Sequence, residues 1–239
     1  MKLEKRYSNG FQLLGSYGFS KCLDNGTSQS APLTIGLYSL NYGVCDIDFR
    51  QVLTFSSVYA LPFGRDRMFM NHSNAIVNGM LGGWEVAGIF TARSGSPYTP
   101  VVGSDVANTG IGNQRPVRTG VPVQPRRATC WFYDSTNPNC STAAPNGVNA
   151  FAPAPQYTYG NSGRNILFGD GLVQLDATLK KVFQIHEALN AELRLEAFNV
   201  ANHTTFANPG ATIGTSSTGV VSSTLNSNRT LQAAIKVNF

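Results

Sequence analysis

Hydrophobic and polar residues alternate along this chain in short blocks separated by polar stretches, and the cleanest block is RTLQAAIKVNF, residues 229–239. Leu231, Ala233, Ile235, Val237 and Phe239 fall on one side, and Thr230, Gln232, Lys236 and Asn238 on the other, with Ala234 as the break. A period of two is the pleat of a β-strand, so the block predicts a strand with one apolar and one wet face. The apolar row closes on an aromatic ring, which suits a membrane–water boundary.

The same pattern recurs upstream. Residues 1–7 read as a charged first strand with Lys2, Glu4 and Arg6 on one side. Residues 10–22 set Phe11, Leu13, Tyr17 and Phe19 against Gln12, Ser16 and Ser20. Ser8, Asn9 and Gly10 between these two blocks predict a tight hairpin. Residues 46–61 alternate Ile47, Phe49, Leu53, Phe55, Tyr59 and Leu61 with Asp46, Asp48, Arg50, Thr54 and Ser56, and read as the longest and most regular strand. Pro62 ends it, and 62–79 read as a connection containing Gly64, Arg65, Asp66 and Arg67. Further strands are predicted over 84–93, 171–186 and 189–200, the last two separated by only Glu187 and Ala188. The stretch EALNAELRLEAF is rich in helix formers, but its strict alternation of charged and apolar residues favours a strand. Lys181 falls on the apolar side of its block and is the chief objection to a lipid-facing wall there, unless protein covers it or it snorkels.

Between the blocks lie long segments dense in Gly, Pro, Asn, Ser and Thr, at 23–45, 94–170 and 201–228. With about seven strands running alternately up and down, all three fall at one end and the shorter connections at the other. Membrane barrels sort their connections in this way, with short turns on one side and long external loops on the other. The expected fold is therefore all-β: an antiparallel up-and-down meander of about seven strands, forming part of a transmembrane β-barrel with long external loops. Nothing in MKLEKRY looks built to pair with RTLQAAIKVNF, so the sheet is expected to be open at its first strand, or closed only by a borrowed piece of loop. A β-sandwich that binds or adheres, soluble or attached to a surface, is the alternative, with both faces explained by sheet packing.

Composition sharpens this picture. Charged residues make up 13% of the 239, about half the share usual in soluble globular proteins. The 24 glycines and 12 prolines favour turns and argue against long helices. No apolar run approaches the length of a membrane helix, and a mean hydropathy of -0.11 is compatible with walls whose faces alternate. The amino-terminal residues carry charges where an export signal needs an apolar core. The net charge of +5 includes a cluster at Arg115, Arg118, Arg126 and Arg127, but no interleaved aromatics accompany it, and a solvated loop is the plainer reading than nucleic-acid binding. Cys22 and Cys45 flank one loop and Cys130 and Cys140 another. Both pairs suit disulfides in an oxidising compartment, with four unpaired thiols as the alternative.

Little chemistry is on offer. His72, His186 and His203 lie in different segments without partners at metal-ligand spacing, so no cofactor or metal is expected. The runs SGSP (94–97) and GNSGRN (160–165) lack the strand–elbow–helix context of a nucleophile, and phosphate-loop and dinucleotide signatures are absent, so no enzyme is expected. The charged row Glu192, Arg194 and Glu196, with Asp48 and Arg50, is the candidate for contact with a plug or ligand. A hydrated ion-pair ladder on the barrel interior is the plainer reading of the same row.

The stretches YALPFGRDR, LGGWEVAGIFTARSGSPYTP, GNSGRNILFGDGLVQLDATLKKVF and LRLEAFNVANHTTFANP, with Phe239, resemble the TonB-dependent outer-membrane receptors, particularly the Oar-like type. The resemblance covers nearly the whole chain. It implies the outer membrane as location, a barrel of about 22 strands around an amino-terminal plug, and import of scarce ligands driven through TonB. On that reading residues 1–239 are the carboxy-terminal segment of the barrel, without plug, TonB-contacting segment or signal. The implied partners are outer-membrane lipid, the plug and the rest of the barrel, TonB through the absent amino-terminal part, and the barrel-assembly machinery, for which Phe239 on the last strand is the signal.

Overall fold

A computed structural model of the protein describes residues 1–26, 38–65, 67–123, 125–140, 147–185 and 189–239. Seven strands form one antiparallel sheet in sequential order: β1 (Lys2–Ser8), β2 (Phe11–Phe19), β3 (Gln51–Ala60), β4 (Trp84–Arg93), β5 (Leu172–Gln184), β6 (Asn190–Phe198) and β7 (Thr230–Asn238). β1 and β7 are the two ends of that order and each pairs with a single neighbour, so the sheet is open. The first hairpin turns on Asn9 and Gly10, both at positive φ (52° and 77°), which is the conformation a two-residue turn between right-twisted strands requires. The turn expected at Glu187 and Ala188 lies outside the described residues, as does Asp66.

Cross-strand register separates two faces. On one, Leu231, Ala233, Ile235 and Val237 of β7 stand opposite Ala197, Leu195, Leu193 and Ala191 of β6. That row continues through Leu179 and Phe183, Val86 and Phe90, and Phe55 and Tyr59. The other face carries Glu192, Arg194, Glu196, Lys180, Glu85, Thr91, Thr54, Ser56 and Ser16 in the same registers. Over β6 and β7 the apolar face has no second layer among the described residues: Leu231 is 71% and Ile235 76% exposed, and Ala60 is the one wall residue among the described buried hydrophobics. A sandwich would require a second sheet against that face, and the other sheets of the described residues are two-stranded pairs formed among the connections.

The buried core lies in the long connections. Tyr98, Val102, Trp131, Phe132, Ala150, Phe151, Leu167 and Ile213 make one cluster, with the Phe132 and Phe151 rings edge to face at 5.5 Å. Short strand pairs frame it: Pro97–Tyr98 with Leu167–Phe168, Val101–Val102 in parallel with Thr212–Ile213, Val117–Arg118 with Phe151–Ala152, and Pro125–Arg127 with Cys130–Phe132. The described residues of 94–170, a segment read from sequence as a long external loop, thus fold with 201–228 into a cap at one end of the wall. Burial of that cluster holds the cap together, and a disulfide between Cys130 and Cys140 closes one of its turns.

Two further expectations need correction. The strand read over 46–61 begins only at Gln51, because Asp46 and Ile47 turn and Asp48 is drawn inward toward Cys22. β5, with 13 residues, is the longest strand instead. The connection 61–83 contains a helix, α2 (Ala75–Leu81), preceded in the chain by a single turn, α1 (Tyr38–Asn41). Asn74 caps α2 by accepting the Val77 N–H at 2.8 Å.

Candidate functional site

The cap is tied to the described residues of the 20–50 connection by Arg164, within the GNSGRN run. Its guanidinium is almost fully buried and pairs with the carboxylates of Asp24 and Asp46. It also donates to the carbonyls of Asn41 (3.0 Å) and Asp24 (3.2 Å). Next to it Asn165 donates to Val44 O at 2.7 Å and to Asp46, and its N–H reaches Thr99 Oγ1 at 2.9 Å. Burial pushes the Arg164 guanidinium below its ordinary value. Arg115, also buried, is pushed down to about 10 by desolvation, with Asp46 acting in the opposite direction. The chemistry of Arg164 and Asn165 is that of a clamp, in which a paired and hydrogen-bonded guanidinium and its neighbouring amide hold two connections in register. Glycines permit the close approach beside it, since a Cβ on Gly160 would fall on the backbone of Arg115 and Pro116.

Asp48 belongs to the same structural set. It is 2% exposed, and its Oδ1 accepts from the Cys22 N–H and Ser20 Oγ, each at 3.3 Å, beside the Cys22–Cys45 disulfide. Its neighbours are the loop that it closes, so it is separated from the charged row on the wall with which the sequence grouped it. The cysteines pair as 22–45 and 130–140, leaving no free thiol among the described residues.

Glu192, Arg194 and Glu196 do come together on the polar face of β6. Arg194 bonds Glu192 at 2.6 Å and approaches Glu196 at 3.7 Å. Glu196 accepts from Gln232 of β7, Lys236 stands opposite Glu192, and one strand pair away Lys180 and Glu85 meet at 2.7 Å. These contacts run along β6 through Arg194 and across strands through Gln232–Glu196 and Lys180–Glu85, forming a polar network of the kind that lines a hydrated interior. A concavity of about 280 Å³ lies over Glu192, Arg194, Glu196 and Lys236.

Arg50 lies elsewhere, at the junction of wall and cap. A groove of about 500 Å³ is lined there by Arg50, Arg126, Trp131, Phe168 and Asp170. Arg50 stacks on Phe168 at 5.4 Å, and Trp131 is pinned by its Nε1–H on Phe168 O at 3.2 Å. Asp170 is already occupied, accepting the N–H groups of Gly171 and Phe206. Two guanidinium groups beside fixed aromatic planes suit an anionic group attached to a planar or apolar body. Sequence reading isolated Arg50 and placed Arg126 in a basic cluster read as a solvated loop, but it missed Trp131 and Phe168, which lie in segments without periodicity. His72 and His203 stand apart, and His186 lies outside the described residues. The Cys22–Asp24–Cys45 cluster has a metal-like spacing, but its sulfurs are committed to each other.

No described helix is long and apolar enough to cross a membrane, which says nothing about crossing with strands. The strands themselves have the alternation and, from β2 on, the lengths of 9 to 13 residues that a bilayer demands. No curated protein and no solved structure matches the chain. A protein family described as "Outer membrane beta barrel domain" matches residues 1–232, and with that match over the seven-stranded two-faced sheet, the chain belongs to this family of outer-membrane β-barrels.

Proposed function

We propose that this chain is the carboxy-terminal portion of the barrel of a TonB-dependent receptor of the Oar-like type, working in import of a scarce ligand across the outer membrane. The observation that carries the segment reading is the open edge on both sides of a wall whose faces are already sorted into apolar and polar. The receptor type rests on the motif resemblance, above all GNSGRN, whose Arg164 and Asn165 lock the cap. In this reading the long connections face outward and the turns face the periplasm. The groove at Arg50 and Arg126 meets ligand from outside, and the ladder at Glu192, Arg194 and Glu196 faces the plug. β7 and Phe239 present the strand that the assembly machinery handles. The test uses the protein expressed from its complete reading frame and isolated from outer membranes, offered to an immobilised periplasmic domain of TonB. Saturable capture that a peptide of the receptor's own amino-terminal segment competes away is expected. No capture, with the barrel folded, overturns the receptor assignment while leaving the barrel intact.

A further inference from the structure

Helix α2 is amphipathic in the wrong sense for a helix beside water. Ile76, Val77, Met80 and Leu81 fall on one arc of its surface, and Asn78 on the opposite side. Asn78 is turned inward, where its Oδ1 accepts the Arg65 N–H at 2.7 Å and packs on Gly64. The aliphatic arc points out: Ile76 is 70%, Met80 66% and Leu81 49% exposed, and no residue of the helix is buried. No residue of AIVNGML is charged, yet Met68, Phe69 and Phe63 of the same connection are also exposed, with the Phe63 and Phe69 rings 5.7 Å apart. Arg65 and Arg67 flank them in solvent. An apolar patch edged with cations, on a connection short of charge, matches the boundary between headgroups and acyl chains.

What fixes the patch beside the bilayer is Lys181. By register it lies opposite Trp84 on the apolar face, where a cation in contact with lipid would be costly. It is nevertheless 1% exposed, because the carboxy-terminal end of α2 folds outward over it. Its Nζ donates to the carbonyls of Met80 at 3.1 Å and Gly82 at 2.5 Å and sits 4.9 Å from the rings of Trp84 and Phe183. Trp84 Nε1 donates to the same Met80 carbonyl at 2.9 Å. The unsatisfied carbonyls of a helix end thus receive a cation and an indole N–H from the wall. The helix is held on the outer side of the sheet, continuous with the lipid-facing row.

From this we infer that the 61–83 connection is an interfacial anchor: α2 lies in the leaflet at the turn end of the barrel, its Ile76–Met80 side among phospholipid acyl chains, with Lys181 as its tether. The proposal is independent of TonB and of ligand. It is tested in the protein expressed from its complete reading frame and reconstituted in vesicles of phosphatidylethanolamine and phosphatidylglycerol. Single cysteines at Ile76→Cys and Met80→Cys receive a nitroxide, with Ile235→Cys marking the wall and Tyr157→Cys marking water at the cap. Collision with oxygen is compared with collision with a water-soluble nickel chelate. The oxygen-to-nickel ratio at 76 and 80 is expected to exceed that at 157 by about threefold or more, and to drop by about half when Lys181→Met is added. Ratios at 76 and 80 equal to that at 157, with 235 reading as lipid, overturn the anchor. Shielding of 76 and 80 from both probes also overturns it, since a protein then covers the patch. A ratio unchanged by Lys181→Met overturns the tether, and a water-like reading at 235 overturns the anchor together with the wall that it rests on.

Discussion

Arg164, Asp48 and Lys181 are the buried charged residues on which the fold turns, and each is buried for a different reason. Arg164 satisfies two carboxylates and the carbonyls of a connection more than a hundred residues away in sequence, so its loss strands groups that cannot all reach water. Arg164→Met keeps most of the volume and removes the charge, and should cost the cap about 3 kcal/mol, the lower end for a broken buried pair because Asp24 and Asp46 are partly exposed. Arg164→Lys keeps the charge but not the planar fork, and should recover only part of the loss. Hydrogen exchange at the amides of 43–48 reads this directly, because the Cys45 N–H to Cys22 O and Asp48 N–H to Cys45 O bonds lie under the clamp. Protection left unchanged by Arg164→Met would remove the clamp role. The partners of Arg164 and Lys181 were not legible in the sequence, since they come from distant segments. Lys181 did announce itself as an anomaly of face, and covering by protein was the reading that the structure took.

At the level of elements, the wall was legible and the cap was not. A strand between two solvents writes its surroundings into every second residue, and β4, β6 and β7 start and stop within two residues of where that alternation does. The same rule misled at 46–50, where alternation persists by coincidence while a disulfide and Asp48 bend the chain away. α2 was missed because seven uncharged residues containing a glycine carry little helical signal, although Asn74 stands where an N-cap should. The cap's core draws one or two residues from each of many short pieces, so no window of sequence contains its period. Its contacts fix the fold of the long connections, whereas lipid contact fixes that of the wall. The two faces should therefore respond oppositely to charge. Leu193→Arg and Ile235→Arg, opposite one another on the apolar row, are each expected to cost about 2 to 4 kcal/mol in bilayers, and Arg194→Ala on the polar row much less. Unfolding from lipid vesicles measures both, and equal costs would mean that the polar face is no more hydrated than the apolar one.

At the scale of the whole molecule, the sheet has a direction, two faces and two free edges, and the edges decide what it can do by itself. β7 offers the outward backbone groups of Thr230–Asn238 along a full-length strand, while β1 is shorter and charged, with Lys2 and Glu4 paired at 2.7 Å and its register with β2 shifted between Lys5 and Ser8. In water such edges are solvated, but in hydrocarbon each unpaired N–H and C=O costs several kcal/mol, so only closure makes a strand wall tolerable there. Joining β1 to β7 would set seven strands in a ring, and an odd antiparallel ring forces its last pair to run parallel, unlike the six antiparallel pairs now present. The segment reading consequently expects that residues 1–239, refolded with phospholipid vesicles, do not insert as a stable wall and pass no solute, even though the cap forms and both disulfides close. Protease protection of 172–198 together with flux of a small solute measures both properties in one preparation. A heat-modifiable, protease-protected monomer that conducts would mean that the edges do meet, that seven strands suffice, and that the chain works as a small porin of its own.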